Sequence, residues 1–308
     1  MPEWKAADMP DQTGRTVVIT GGNSGIGLDA GLAFARKGAD LILACRNPDK
    51  AQAAVEHVRS EAEGAEVEAM QLDLADLASV RSFAEALLEQ RQALHVLCNN
   101  AGVMALPYRK TSDGFEMQFG TNHLGHFALT GLLLPLLRSA EASRVVTVSS
   151  MAHRIGKMRF EDLAWEKGYS KWPAYGMSKL ANLLFAFELQ RRLDESGAGP
   201  ISVACHPGYS NTNLQLAGPQ MSGSRFMETA SKWFGAAAAQ SSHMGALPTV
   251  YAATAEGVQG GDYIGPNGFM ETYGFPKKVG SSKAAQDTAS AAKLWEMSEE
   301  LTGVRYEL

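Results

Sequence analysis

A tyrosine and a lysine four residues apart are the side chains of this sequence best suited to proton transfer. Tyr175 and Lys179 lie in the segment Tyr-Gly-Met-Ser-Lys, at the start of a helix predicted over Ala174–Leu193. A spacing of four places both side chains on one helix face. A phenol titrates near ~10, and a neighbouring ammonium that lowers this pKa by ~2–3 units must supply about 3–4 kcal/mol of differential stabilisation. The spacing predicts that Lys179 lowers the pKa of Tyr175, giving a proton donor and acceptor for a carbonyl.

A glycine-rich turn lies between the first predicted strand and the first predicted helix. Gly21 permits a tight turn, Gly25 lets the backbone approach a pyrophosphate, and Gly27 lets the helix pack on the strand. The helix N-terminus offers N–H donors and a favourable dipole to phosphate groups. This context predicts a dinucleotide site, with these residues of the turn in contact with the cofactor: Gly21, Asn23, Ser24, Gly25, Ile26 and Gly27.

The end of the second predicted strand bears on which dinucleotide binds. A free ribose 2′-hydroxyl usually meets an acidic residue near this point, whereas an arginine suits a 2′-phosphate. Arg46 follows the strand directly, and the next acidic residue is Asp49. We therefore expect Arg46 to bind NADP(H). NAD(H) remains the alternative, with Arg46 then a solvated surface residue.

Apolar runs alternate with amphipathic segments along the whole chain. Continuous β-branched runs separated by helices indicate parallel strands covered on both faces, so we expect a doubly wound α/β parallel sheet, a Rossmann fold. The chain is predicted to form one domain over 1–308, with 1–13 as an N-terminal extension. Two irregular segments, Met151–Pro173 and Tyr209–Met244, follow predicted strand ends, where ligands bind in such sheets. The second, 209–244, is predicted to be a substrate lid.

Several further motifs complete a pattern that resembles the short-chain dehydrogenase/reductase family. They follow the order of that family over about 190 residues. More narrowly, the segments LACRN, CNNAGVM, TNHLGHF, SKLANLLF and HPGYSNTNL resemble the retinol dehydrogenase–like subgroup. The matching motifs are TGGNSGIG (20–27), Asp73-Leu74, NNAG (99–102), Asn122, VSS (148–150), YGMSK (175–179) and HPG (206–208) followed by Thr212.

The resemblance implies a role for each matching residue. Tyr175 is the general acid/base, and Lys179 holds the nicotinamide ribose and lowers the pKa of the tyrosine. Ser150 hydrogen-bonds the substrate oxygen, and Asn122 orders a water that connects Lys179 to solvent. The remaining implied cofactor contacts are Asp73 and Leu74 at the adenine, Asn100, Ala101 and Gly102 near the ribose, and Pro207, Gly208 and Thr212 against the carboxamide.

Composition narrows the class of protein. The 308 residues carry a net charge of −5 and contain no run of Lys or Arg, which argues against a nucleic-acid partner. Three cysteines without a CxxC pair are expected to be buried structural thiols in a reducing cytoplasm. The histidines lack metal-ligand spacing, so no metal is expected. The N-terminus shows no secretory signal, and the most apolar stretch, Leu124–Leu137, is too short to span a bilayer, so no integral membrane segment is expected.

These features predict an NADP(H)-dependent oxidoreductase acting on a carbonyl/alcohol pair. The irregular segments are rich in Met, Trp and Phe, which favours a lipophilic substrate. A non-catalytic NADP(H)-sensing protein is one alternative. An epimerase or dehydratase of the same fold is another, although such relatives usually have a shorter glycine spacing and a larger C-terminal domain. The apolar predicted helices 113–138 and 174–193 favour a homodimer or homotetramer, as is common in this family.

Overall fold

Five-residue runs of aliphatic and β-branched side chains form the centre of a single sheet. The computed structural model describes residues 3–197, 199–209 and 240–308. The strand order is β3-β2-β1-β4-β5-β6-β7-β8, and the direction of winding reverses between β1 and β4. The strands are β1 (Thr16–Thr20), β2 (Asp40–Cys45), β3 (Val67–Gln71), β4 (Val96–Asn99), β5 (Arg144–Val148), β6 (Ile201–Cys205), β7 (Tyr263–Pro266) and β8 (Pro276–Lys278).

Both faces of the sheet are buried under helices. Along β1, Val17 and Ile19 pack into one hydrophobic core and Val18 into the other, because successive side chains of a strand point to opposite faces. The first face is covered by α1 (Gly25–Ala35), α2 (Pro48–Glu61) and α6 (Ser242–Thr254), and the second by α3 (Leu77–Gln90), α4 (Gly125–Ser139), α5 (Lys171–Ser196) and α7 (Thr288–Thr302).

The predicted doubly wound sheet is confirmed, with two differences. All neighbouring strands from β3 to β7 pair in parallel. The last strand, β8, runs antiparallel to β7 because the loop between them turns the chain back alongside β7. The single helix predicted over 113–138 is instead one turn, Met117–Phe119, then a π-helical turn, Gly120–Leu124, and then α4.

The three cysteines are free thiols buried in alternate strands of the sheet. Cys45 ends β2, Cys98 lies in β4, and Cys205 ends β6. Burial raises the pKa of Cys45 to about 11 and that of Cys205 to about 12. The thiols are therefore protonated and structural, as the sequence predicts.

The N-terminal segment packs against α6. Trp4 packs edge-on against Tyr251 of α6, with 5.2 Å between ring centroids. Of the predicted lid, only Tyr209 and residues 240–244 lie within the described part of the chain. The domain bounds and the lid stay predictions.

In residues 3–197, 199–209 and 240–308, no helix is both long and apolar enough to cross a membrane.

Candidate active site

The glycine-rich turn connects β1 to α1 with the backbone that its glycines permit. Gly21 and Gly25 have φ values of +68° and +55°, a region in which residues with a Cβ are strained. A Cβ on Gly27 would lie 2.6 Å from Asn100 Nδ2 and equally close to the carbonyl oxygen of Gly21. The N-cap residue of α1, Ser24, makes no side-chain hydrogen bond to the first turn of the helix, which leaves the N–H groups of that turn to a phosphate-bearing cofactor.

A second turn, after β4, is fixed to the first by the side chain of Thr20. The Thr20 Oγ1 accepts hydrogen bonds from the backbone N–H of Asn100 and of Ala101, each at 2.9 Å. The Asn100 amide Nδ2 donates to the Thr20 carbonyl oxygen at 2.8 Å. The two predicted cofactor turns are therefore held at one place on the carboxyl edge of the sheet. Sequence reasoning assigned no role to Thr20.

The predicted adenine-side residues lie along the same edge. Arg46 follows β2 directly and is exposed, while the preceding Cys45 thiol accepts hydrogen bonds from the backbone of the glycine-rich turn. The Asp73 carboxylate accepts from the N–H of Ala75 at 3.0 Å. Leu74 is buried, and its carbonyl oxygen lies where a Cβ on Gly125 would clash. Arg46 thus has a solvent-facing position beside the turn, where a phosphate can reach it.

The predicted acid/base pair lies on the buried face of α5. Tyr175 and Lys179 are 5% and 3% exposed, and the Lys179 Nζ lies 5.9 Å from the centre of the Tyr175 ring. Lys179 donates to the carbonyl oxygen of Val148, the last residue of β5, at 3.0 Å. Ser150 follows two residues later and hydrogen-bonds the Tyr175 phenol. The structure therefore brings Ser150, Tyr175 and Lys179 together, and their roles stay predictions.

Burial dominates the acidity of this pair. Burial raises the pKa of Tyr175 to about 12, and the hydrogen bond from Ser150 opposes this only in part. Burial lowers the pKa of Lys179 to about 8. In this arrangement burial outweighs the other influences on the phenol, and the expectation that Lys179 lowers the tyrosine pKa stays a prediction. With a pKa of about 12, the Tyr175 phenol is protonated at neutral pH.

Asn122 lies in the π-helical turn and anchors the chain that leaves β4. Its Oδ1 accepts from the N–H of Val103 at 2.7 Å, and its Nδ2 donates to the Val103 carbonyl oxygen and to the Ser178 hydroxyl, both at 2.9 Å. A Cβ on Gly102 would lie 3.1 Å from the Asn122 Oδ1 and 3.5 Å from the Lys179 Nζ. The side chain of Asn122 therefore positions the backbone next to Lys179. π-Turns of this kind occur frequently at functional sites.

The turn after β6 is supported by a group of polar contacts that sequence reasoning missed. Gly208 has φ +69° and donates its N–H to the His206 Nδ1 at 3.3 Å. The His206 Nε2 lies 3.2 Å from the Glu271 carboxylate, which also pairs with Arg154 at 3.4 Å. These contacts connect the loops after β5, β6 and β7 around the predicted nicotinamide position at Pro207 and Gly208. Thr212 lies outside the described residues.

Comparison with known proteins identifies the family. A profile described as short chain dehydrogenase matches residues 15–221. Retinol dehydrogenase 12 of Mus musculus is 41% identical over 296 residues, covering 96% of this chain and 88% of its own. Retinol dehydrogenase 13 of Homo sapiens is 41% identical over 94% of this chain and 85% of its own. A crystal structure of an uncharacterized protein from Mycobacterium Paratuberculosis has 45% identity and a TM-score of 0.82, with both chains fully covered.

The chain therefore belongs to the short-chain dehydrogenase/reductase family of oxidoreductases. Within that family it is similar to the retinol dehydrogenases, which confirms the resemblance found in its motifs. A further match, the NADP complex of Pseudomonas aeruginosa RhlG, has 22% identity and a TM-score of 0.62 over 82% of this chain and 94% of its own, and shares the fold.

Proposed function

We propose that this protein is an NADP(H)-dependent reductase or dehydrogenase of lipophilic carbonyl and alcohol compounds. The observation that carries the proposal is the grouping of Ser150, Tyr175 and Lys179 at the carboxyl edge of the sheet, beside two turns suited to a dinucleotide. We further propose a cytoplasmic enzyme, active as a homodimer or homotetramer, that binds neither nucleic acid nor a metal.

The residues present fit a nicotinamide dinucleotide. The open N-terminus of α1 suits the pyrophosphate, and exposed Arg46 suits the 2′-phosphate that distinguishes NADP(H) from NAD(H). The turn at Asn100–Gly102 and the Lys179 ammonium suit the nicotinamide ribose, and Pro207 and Gly208 suit the carboxamide. Once bound, the nicotinamide supplies or accepts the hydride.

The protein's own groups manage the proton. In the reductive direction, Tyr175 donates its phenolic proton to the carbonyl oxygen as negative charge develops there. The raised pKa of Tyr175, about 12, keeps it in the required protonated form at neutral pH. Ser150, which hydrogen-bonds the Tyr175 phenol, orients the substrate oxygen. Lys179 and the turn at Asn122 provide the route by which the phenol recovers a proton from solvent.

The preference for lipophilic substrates is supported by the aromatic surroundings of Tyr175. The ring of Trp172 lies 6.3 Å from that of Tyr175, edge to face, and is 49% exposed. Ile155, which ends the turn after Ser150, is 61% exposed. Other apolar residues of the segment 151–173 are instead core anchors, since Leu163 and Trp165 are buried. Trp172 and Ile155 therefore offer apolar surface beside the reacting groups.

A cofactor-fluorescence screen tests the proposal. Oxidation of NADPH and NADH would be followed against aldehydes, ketones and alcohols of graded chain length. Turnover with NADPH and medium-chain carbonyls supports the proposed reaction. Turnover with NADH alone would replace the cofactor assignment by the NAD(H) alternative. Tight NADPH binding without turnover of any compound would instead support a sensor of NADP(H).

A further inference from the structure

A buried histidine at the start of α4 contacts both the cofactor turns and the π-helical turn. His126 is 1% exposed. Its Nε2 lies 2.9 Å from the Thr20 Oγ1, and its Nδ1 lies 3.0 Å from the backbone carbonyl oxygen of Asn122. Thr20 ends β1, and Asn122 lies on a different element. Each ring nitrogen therefore has its own partner on a separate part of the site.

The partners determine where the ring proton lies. A carbonyl oxygen can only accept, so the Nδ1 facing Asn122 must carry the hydrogen. In the neutral ring the Nε2 is then an acceptor, and it takes the hydroxyl hydrogen of Thr20 in preference to the Cys98 carbonyl oxygen, which is 3.3 Å from that hydroxyl. Burial lowers the pKa of His126 to about 4, so the ring is neutral near pH 7.

The hydrogen bonds continue beyond Thr20. The same Thr20 oxygen accepts from the backbone N–H of Asn100 and of Ala101. A continuous chain of contacts thus runs from the turn that follows β4, through Thr20 and His126, to the carbonyl of Asn122. Buried networks of this kind are rigid when every member is satisfied, and a missing member leaves an unpaired polar group.

We propose that His126 is a positioning residue that sets the cofactor-binding turns and the Asn122 turn at a fixed separation, so that cofactor binding and proton recovery depend on one side chain. The inference rests on the proposed function. The two ring nitrogens support different parts of the site. The Nε2 contact supports the turns that bind the dinucleotide, and the Nδ1 contact supports the turn beside Lys179.

Two substitutions separate the contacts. In His126→Asn, an amide nitrogen stands as many bonds from the backbone as Nδ1 and can still donate to Asn122, but the side chain cannot reach Thr20. In His126→Gln, the amide stands as far out as Nε2 and can meet Thr20, but not Asn122. We expect His126→Asn to lose NADPH affinity by about tenfold, a loss several times larger than its loss of kcat. His126→Gln should show the reverse, with kcat reduced about tenfold and its pH profile shifted.

An exposed histidine on α2 provides the matched control for the His126 variants. His57→Gln, at an exposed position of α2, should change neither quantity. If both His126 variants lose affinity and kcat in the same proportion, with an unchanged pH profile, the residue is merely structural and the proposal is overturned. Should these variants fail to fold, Thr20→Ser and Thr20→Val test the same contact from its other side. The valine should raise the NADPH Kd about tenfold and the serine should restore it; equal losses in both would overturn the proposal.

A measurement without turnover keeps the inference distinct from the proposed function. In protein labelled with ¹⁵N-histidine, the His126 ring, assigned by its loss in His126→Gln, should be the neutral Nδ1–H form from pH 5.5 to 8.5. An Nε2–H form or a titration in this range would overturn the inference. Failure of the wild-type protein to bind NADPH or NADH would overturn the proposed function, whereas the ring proton is observed in either case.

Discussion

The Lys179 ammonium donates to the carbonyl oxygen of Val148 at 3.0 Å while lying 5.9 Å from the centre of the Tyr175 ring. The end of β5, and not the phenol, therefore fixes the position of the lysine. Removal of the phenolic oxygen should leave the lysine in place. This separation lets the contribution of Tyr175 be measured without disturbing the charge beside it.

We expect Tyr175→Phe to reduce turnover by about 10²-fold or more, because the proton donor is lost while the ring remains. NADPH affinity, measured by fluorescence titration, should stay within about threefold of the wild-type value. This change is smaller than the contribution of a single hydrogen bond to a charged group. Tyr108→Phe, at a 40% exposed tyrosine, serves as the control and should be unaffected. Wild-type turnover in Tyr175→Phe would remove Tyr175 from the proposed chemistry.

The pH dependence of cofactor binding should report Lys179. Its pKa is lowered to about 8 by burial, so the ammonium is present below this pH and lost above it. NADPH affinity of the free enzyme is expected to weaken as the pH rises from 7 to 9.5. Lys179→Arg keeps its charge in this range, since guanidinium pKa values exceed 12, and should flatten the profile even if its affinity is lower. A flat wild-type profile would contradict a role for the lysine charge.

Cofactor choice should depend on Arg46. A charge-assisted contact to the 2′-phosphate contributes about 1.5–3 kcal/mol, so Arg46→Asp should lose roughly 10- to 150-fold in NADPH affinity and gain relative preference for NADH. Arg36→Asp changes charge equally at the end of α1, where the arginine pairs with Glu61, and is the matched control. Dissociation constants for both cofactors decide the matter. An unchanged ratio would favour NAD(H).

Substrate chain length should matter through Trp172. Along a series of straight-chain aldehydes, each added methylene is expected to improve kcat/KM by about 0.8 kcal/mol until the apolar surface is covered. Trp172→Ala should reduce this slope, whereas Leu301→Ala, at an exposed leucine on α7, should not. A kcat/KM that stays level or falls from short to medium chains in the wild-type enzyme would exclude an apolar site.

A buried carboxylate on α5 should make the free energy of unfolding depend on pH in the acidic range. Glu188 accepts from Arg191 at 2.6 Å and from Arg192 at 2.7 Å, and these hydrogen bonds outweigh burial and lower its pKa. Because the folded pKa lies below the unfolded value near ~4.3, the stabilisation is present above that pH and lost as the pH falls through the folded pKa. Glu188→Gln should cost about 2 kcal/mol in urea unfolding at pH 7 and progressively less below pH ~4. Glu195→Gln, at an exposed partner of Arg191, should cost far less; an equal cost would contradict the argument.

Local patterns allowed the sheet and the site motifs to be predicted from sequence. The positive φ values of Gly21 and Gly25 need glycine, and the buried β-branched runs need helices on both sides. The pairing of Thr20 with His126 joins residues 106 positions apart, and that of Arg154 with Glu271 joins residues 117 apart. No spacing rule connects such residues, so these contacts became visible only in the folded chain.

The pKa of Tyr175 also could not be predicted from the spacing of residues. A spacing of four predicts that the lysine and the tyrosine share a helix face, and they do. The pKa depends further on the distance from the ammonium to the phenolic oxygen and on the depth of burial, neither of which follows from helix periodicity. Here the Val148 carbonyl takes the lysine hydrogen bond, and burial then dominates the acidity of the phenol.

The three thiols in alternate strands can report when each of these strands becomes accessible to solvent. Cys45, Cys98 and Cys205 are shielded in β2, β4 and β6, and burial raises the pKa of each. A thiol-alkylating reagent reacts with the thiolate, so modification requires that the strand carrying each cysteine first open to solvent. Peptide mapping of the alkylated sites over time would then record the order in which β2, β4 and β6 open to solvent, without any engineered cysteine.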